Sequence, residues 1–221
     1  MENFLHRCFF LSITYICCSL IRDCPEKINL LPMYGNAKKC PEQIEADRRF
    51  LQETDGLFQG DRKRAAEDRV ARAWEYFDAN VQDTAMMRFN QAWLLDSSNA
   101  EVYWGFGNLL GGQERFRESI PFFKKSLRLN PENPIVWEAA AQSYGNIYAD
   151  TRSQKDLDSS IYYLRHSFRL DPKNSGTISK LTMAYLYAMK KDSATKYLKL
   201  AEQIDPGSVP DEIRRMIQSI K

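Results

Sequence analysis

The chain has 221 residues, 43% of them hydrophobic and 27% charged, a globular composition large enough for one domain or a short array of repeats. Its 31 Lys and Arg against 29 Asp and Glu leave a formal charge of +2, so no global field draws it to nucleic acid or an anionic surface. With two His and ten Gly, acid–base chemistry on histidine, multi-His metal sites, phosphate-cradling loops and turn-rich all-β folds are disfavoured.

Residues 9–21, FFLSITYICCSLI, form an uncharged apolar run. Such a run is shorter than the roughly 20 residues of a spanning helix and matches the core of a secretory signal. Residues 1–24 are therefore predicted to be a signal or lipoprotein-type leader, although Arg7 is the one certain cation ahead of the run and Glu2 opposes it. Cys17, Cys18 and Cys24 end or follow the run and are the candidate lipidation sites. The expected location is the periplasm or outer membrane, reached by export and held by an N-terminal lipid; a cytoplasmic chain with an apolar leader is the alternative.

Cys24 and Cys40 each open a Cys-Pro-Glu-x-Ile string. They either pair in an oxidising compartment or stay apart, with one as the anchor or both free; the second reading is preferred. Pro25, Pro32, Gly35 and Pro41 interrupt residues 25–41, which read as an extended tether. Within it, 28–34 either lines a groove of the folded part or simply follows the signal, the second being preferred. Residues 42–65 read as an N-terminal capping helix and linker, with Ile44, Phe50 and Leu51 as apolar positions and a stop at Gly56.

Beyond this point the chain repeats. Ser126-Leu127-Arg128-Leu129-Asn130-Pro131, Ser167-Phe168-Arg169-Leu170-Asp171-Pro172 and Ala201-Glu202-Gln203-Ile204-Asp205-Pro206 end alike, and Ala92-Trp93-Leu94-Leu95-Asp96-Ser97 matches with Ser for Pro. From Ser97 the endings fall 34, 41 and 34 residues apart. Each closing Pro stops a helix. Ser98-Asn99-Ala100-Glu101 reads as a capping box and Asn133-Pro134 as a cap with first-turn proline. Gly107, Ala141 and Ala194 are small enough to let paired helices approach, with Phe123, Leu164 and Leu198 filling between them. Pro121 conflicts with a continuous helix, which must start late near Ser119 or kink. Ile213, Met216, Ile217 and Ile220 stripe one face of a last helix over 209–221, a polar-backed cap.

The 34-residue period and these residues resemble the tetratricopeptide repeat. The second repeat, 100–133, carries the pattern as Tyr103, Phe106, Gly107, Leu110, Ser119, Phe123, Ser126 and Pro131. Repeats at 66–99, 134–174 and 175–208 complete the array, the third holding its extra residues between its helices near 149–154. The resemblance implies an all-α solenoid of about four helix hairpins with a C-terminal capping helix. Less specifically, the Leu-Leu-Pro-Met-Tyr-Gly string and 86–112 are similar to small repeat-containing lipoproteins of Gram-negative bacteria.

A tetratricopeptide solenoid presents one face of each first helix along a concave groove. Projected onto this chain, the groove candidates are Val70, Trp74, Phe77, Glu101, Trp104, Asn108, Glu138, Gln142, Ser179, Met183 and Leu186. Trp74 and Trp104 are the expected aromatic anchors, whereas Trp93 and Trp137 read as packing. Chaperone-binding members of the family clamp a terminal carboxylate with Lys and Asn; Asn108 fits by type, but Val70 and Trp74 stand where the first repeat would need them. The implied function is non-enzymatic: a protein-interaction scaffold of the bacterial envelope that binds a peptide or partner protein, with no cofactor, metal or nucleic acid. A cytosolic adaptor or self-associating scaffold is the alternative, and an enzyme accessory domain a remote one. Gly105, Gly107, Gly111 and Gly112 follow no strand and form no nucleotide loop. His166 beside Arg165 reads as a surface or lightly packed residue, and Glu101 with Glu138 is the one carboxylate pair worth inspecting for catalysis.

Overall fold

A computed structural model describes residues 24–207 and 209–220, so the apolar run 9–21, Cys17 and Cys18 lie outside the described residues. Among these residues there are ten α-helices and no strand. Helix α1 (Pro41–Leu57) precedes four hairpins: α2 (Arg62–Asp78) with α3 (Gln82–Leu95), α4 (Ala100–Gly112) with α5 (Phe116–Leu129), α6 (Pro134–Thr151) with α7 (Gln154–Leu170), and α8 (Ser175–Tyr187) with α9 (Lys191–Ile204). Helix α10 (Asp211–Ser219) packs on α8 and α9. The hairpins stack in chain order, each second helix packing on the first helix of the next hairpin, as an α-solenoid requires.

Two kinds of turn set the repeat. Between hairpins, Asp96, Asn130, Asp171 and Asp205 fold back so that the side-chain oxygen accepts from the backbone two residues on, at Ser98, Glu132, Lys173 and Gly207. These Asx turns are what the recurrent Asp/Asn-Pro endings encode. Asn99, Asn133 and Asn174 then cap α4, α6 and α8; the cap of α4 is thus Asn99, one residue after the expected Ser98. Within hairpins, Asn80, Glu114 and Met189 adopt the left-handed conformation (φ 58, 60 and 54°). There the next N–H reaches back to the last turn of the preceding helix: Val81 to the Tyr76 carbonyl, Arg115 to Leu110 and Lys190 to Tyr185.

Small residues on α4 bring the layers together. Gly107 lies against the ring of Phe123 on α5, and Gly105 lies against Phe89 on α3, so one helix receives a phenylalanine from each neighbour. Phe89, Phe106 and Phe123 are almost wholly buried. Pro121 falls inside α5, which starts at Phe116 and not near Ser119. Pro121 is on the exposed side, where a carbonyl deprived of its helical donor is open to water.

The third hairpin departs from its neighbours. Its extra residues, expected as a connection, are helical: α6 has 18 residues and α7 has 17, against 13 and 14 in α4 and α5. No Gly or Pro interrupts 146–151, so α6 runs on until Arg152, which is left-handed (φ 57°).

The N-terminal stretch differs more. The tether expected over 25–41 is not extended: it forms two short 3-10-type turns, Ile28–Leu30 and Pro32–Asn36, seated on α3. Cys24 and Cys40 are joined in a disulfide, Cα atoms 5.2 Å apart, against the preferred reading of free or anchoring cysteines. Cys24 therefore has no free sulfur for a lipid while the bridge stands. Asn90, fully buried on α3, holds the ring between the two cysteines. Its amide donates to the carbonyls of Asn29 and Leu31, and its carbonyl accepts from the Tyr34 N–H. Lys39 lies 3.2 Å from the centre of the Tyr34 ring and pairs with Asp47 of α1. Burial pushes the Tyr34 phenol above its ordinary range. The 28–34 segment thus sits on the outer helix of the first hairpin; it neither lines the groove nor trails free.

Candidate functional site

The first helices of the hairpins, α2, α4, α6 and α8, form the inner face of the stack: α2 touches α4 and α4 touches α6, while α6 and α8 approach less closely. On this face the indoles of Trp74 and Trp104 meet with ring centres 4.5 Å apart. Phe77 and Phe89 stand edge-on to Trp74 at 5.4 and 5.2 Å. Both tryptophans are half-buried, and both indole nitrogens are buried with no hydrogen-bond partner among the described residues. A buried N–H without an acceptor costs roughly 1–3 kcal/mol, so ring packing and not hydrogen bonding holds this pair, and the half-exposed ring surfaces are what a partner can reach.

Other predicted groove residues separate into lining and core. Val70 (3% exposed) belongs to the core between the first hairpins and Leu186 (3%) to the C-terminal core; both are corrections to the expected groove. Packing between helices explains them: Val70 is closed over in the cluster with Ala66, Ala73 and Phe89, and Leu186 in the one with Tyr185 and Tyr197. Glu101 is exposed in the first turn of α4, and Asn108 is half-buried one turn past Trp104. Glu138 is occupied by Lys180 and Thr177, each at 2.6 Å across the α6–α8 gap. That pairing engages both carboxylate oxygens of Glu138. Gln142 donates to Asn146 at 3.1 Å, Ser179 is half-buried on α8, and Met183 is 37% exposed.

Between α6 and α8 the inner face opens into a pocket of about 460 Å³. Its walls are Tyr148 and Tyr187, ring centres 6.0 Å apart, with Met183 between the helices and Ala141, Ala184 and Leu157 at its base. Arg152 lies at its rim with its guanidinium 5.8 Å from the Tyr148 ring centre. Tyr148, Arg152 and Tyr187 are absent from the sequence-derived groove. Tyr144, Tyr148 and Arg152 follow at helical spacing in an uninterrupted stretch, the signal that α6 continues.

Trp93 and Trp137 pack as expected. The Trp93 indole donates to the Tyr103 hydroxyl, and Trp137 donates to the Pro131 carbonyl at 2.7 Å. His166, half-buried, stacks on Trp137 at 4.4 Å, in line with a lightly packed residue. Among the described residues the one grouping of metal-ligand side chains is Cys24, Cys40 and Glu42, whose two sulfurs are held in the disulfide.

A family model described as tetratricopeptide repeat matches residues 100–133. Residues 100–133 carry a tetratricopeptide repeat, and the described chain has the fold of a tetratricopeptide-type solenoid. The crystal structure of MamA superposes with a TM-score of 0.57 at 16% identity, over 77% of this chain and 96% of that one. PilF of Pseudomonas aeruginosa gives 0.58 at 16%, over 72% and 68%. TTC0263, a thermophilic tetratricopeptide-repeat protein of Thermus thermophilus, gives 0.54 at 14%, over 70% and 80%. No curated protein matches the sequence. These likenesses establish the fold.

Proposed function

We propose that this tetratricopeptide-repeat solenoid is a non-enzymatic scaffold of the bacterial cell envelope that holds a peptide or an extended segment of a partner protein along its inner face. The observation that carries the reading is the Trp74–Trp104 pair: two half-buried aromatic anchors whose indole donors point to no acceptor within the described residues. Aromatic residues of this kind dominate binding energy at interfaces. Turnover has no support in the groove, where Glu138 is neutralised by Lys180.

The envelope assignment draws support from the apolar run 9–21 and from the Cys24–Cys40 disulfide, since disulfides persist in oxidising compartments and are rare in the cytosol. Lipid attachment, on this reading, falls to Cys17 or Cys18. The test is expression of the full chain in a Gram-negative host with a photo-crosslinking amino acid at position 104 or, as control, at exposed Arg165 on α7. Cells are then fractionated, and the chain is weighed intact. An envelope-associated, cleaved and acylated chain that crosslinks from position 104 and not from 165 is expected. An uncleaved cytosolic chain would refute the location, and equal crosslinking from both positions would refute the groove. Trp104→Ala should weaken the same complex, captured from a second groove position, at least about tenfold, as expected of a hot-spot aromatic.

A further inference from the structure

The α6–α8 pocket exists because α6 is long. In the neighbouring hairpins the first helix ends after 13 residues, and only the added turns of α6 carry Tyr148 and Arg152 beside α8. The pocket's volume of about 460 Å³ falls within the roughly 300–1,000 Å³ of ligand-binding clefts. Its surface is mostly apolar, with Met183 and Tyr187 remaining 37% and 44% exposed.

The charges around it are unequal. Lys180 is neutralised by Glu138 at 2.6 Å, whereas Arg152 has no carboxylate partner among the described residues. Asp150, two residues earlier, lines a separate cleft with Arg115 and Arg117. The Gln142–Asn146 bond uses one amide group of Gln142 and the carbonyl of Asn146, leaving the Gln142 carbonyl and the Asn146 amide for an incoming backbone. Together these supply an apolar socket, one unpaired cation on its rim and backbone-type donors and acceptors beside it.

We propose that this pocket receives a large apolar side chain from an extended protein segment, and that an acidic residue adjacent to it in that segment pairs with Arg152. The inference rests on the reading of the inner face as the binding surface, and it names the chemistry of the segment. The carboxylate proposed is that of an internal acidic residue, and the free-acid peptide in the test below distinguishes it from a chain-terminal one.

The full chain, labelled at its methionine methyl groups, is titrated with two blocked peptides, acetyl-Gly-Phe-Glu-Gly-amide and acetyl-Gly-Phe-Gln-Gly-amide, and with the free acid acetyl-Gly-Gly-Phe. Met183 reports the pocket, and the Trp74 and Trp104 indole N–H signals report the other half of the groove. The expected result is a saturable Met183 shift, with the Glu peptide bound about three- to fivefold tighter than the Gln peptide, the size of a solvent-exposed ion pair. That ratio should fall to one in Arg152→Gly, a change that suits the left-handed backbone at this position and removes only the side chain. Tyr187→Ala should weaken both blocked peptides. Equal affinities in the parent chain, tighter binding of the free acid, or no Met183 shift would overturn the proposal. Shifts confined to the indoles would overturn it while leaving the wider groove reading intact.

Discussion

Gly105→Ala sets two opposed effects against each other. In a helix interior the exchange favours Ala by about 1 kcal/mol, because glycine loses more backbone freedom on folding. In this protein the new Cβ would lie 2.2 Å from Cζ of Phe89 and within 2.5 Å of two further ring carbons. Reaching the roughly 3.5 Å of an ordinary carbon–carbon contact requires the ring or α4 to retreat by about 1.3 Å. Phe89 is fully buried and boxed by Trp74 at 5.2 Å and Phe106 at 6.1 Å, so the retreat displaces packed neighbours. Overpacking of this kind costs about 1–3 kcal/mol, and the size of the shift places it at the upper end. The net expectation is a loss of about 2 kcal/mol, or about 4–8 °C in melting temperature for a chain of this length. Thermal and urea unfolding followed by circular dichroism measure it. A second variant identifies the cause: Phe89→Leu lacks the clashing ring carbons, so the double mutant should be at least about 1 kcal/mol more stable than the sum of the single changes. A rise in melting temperature for Gly105→Ala, or strict additivity with Phe89→Leu, would refute the close-approach argument.

Reduction of the disulfide, or Cys40→Ser, should release the N-terminal ring. A cross-link closing a ring of this size contributes about 3 kcal/mol, so the Leu31 and Tyr34 amides, bonded to the Ile28 carbonyl and to Asn90, should lose hydrogen-exchange protection while α4–α9 keep theirs. Unchanged protection at Leu31 and Tyr34 would count against the ring. Burial, with Tyr144 and Tyr162 adding to it, pushes the Tyr163 phenol up to about 12 from an ordinary 10. Its ionisation therefore favours the unfolded chain: the contribution is full below pH 10 and is lost as pH rises toward 12. Absorbance at 295 nm should show a late-titrating phenol that disappears in Tyr163→Phe, and the variant should lose less stability than the parent between those pH values.

The repeat was legible because its markers are chemical. Asp96, Asn130, Asp171 and Asp205 with their following Ser or Pro are Asx turns that recur wherever a second helix must end, and Phe123 opposite Gly107 is a packing pair readable by spacing. The turns inside the hairpins were not legible, since their left-handed residues are Asn80, Glu114, Arg152 and Met189 and only the first belongs to a type that favours that conformation. The lengthened α6 escaped for a related reason. An insertion relative to a fixed period is read as a loop, yet the residues from Asn146 to Thr151 contain nothing that stops a helix, and Tyr148 and Arg152 were left outside the groove in consequence. Val70 and Leu186 share a helical face with Trp74 and Met183 and were misplaced because neighbouring helices cover them, which spacing along one helix does not reveal.

The two ends of the solenoid meet the same requirement by different means. A stack of hairpins leaves an apolar face on its first and last members that must be covered. At the C-terminus, α10 does so as an amphipathic helix, with Ile217 and Ile220 buried against α8 and α9 and Arg214 tied to Glu202. That cap depends on hydrophobic spacing, and such spacing is visible in a sequence. At the N-terminus, α1 meets α2, and the outer helix α3 is covered by the ring between Cys24 and Cys40. Much of that ring is in a conformation disfavoured for its residues: Lys27, Met33, Tyr34 and Asn36 all have positive φ. Each such residue costs on the order of 1 kcal/mol, so local preference alone cannot hold the ring. Asn90 and the disulfide supply what the backbone lacks, one by fixing three main-chain groups and the other by limiting the unfolded alternatives. The N-terminal cover is therefore conditional on an intact cross-link in a way the C-terminal cap is not, and selective loosening of residues 24–40 under reduction is the observable consequence.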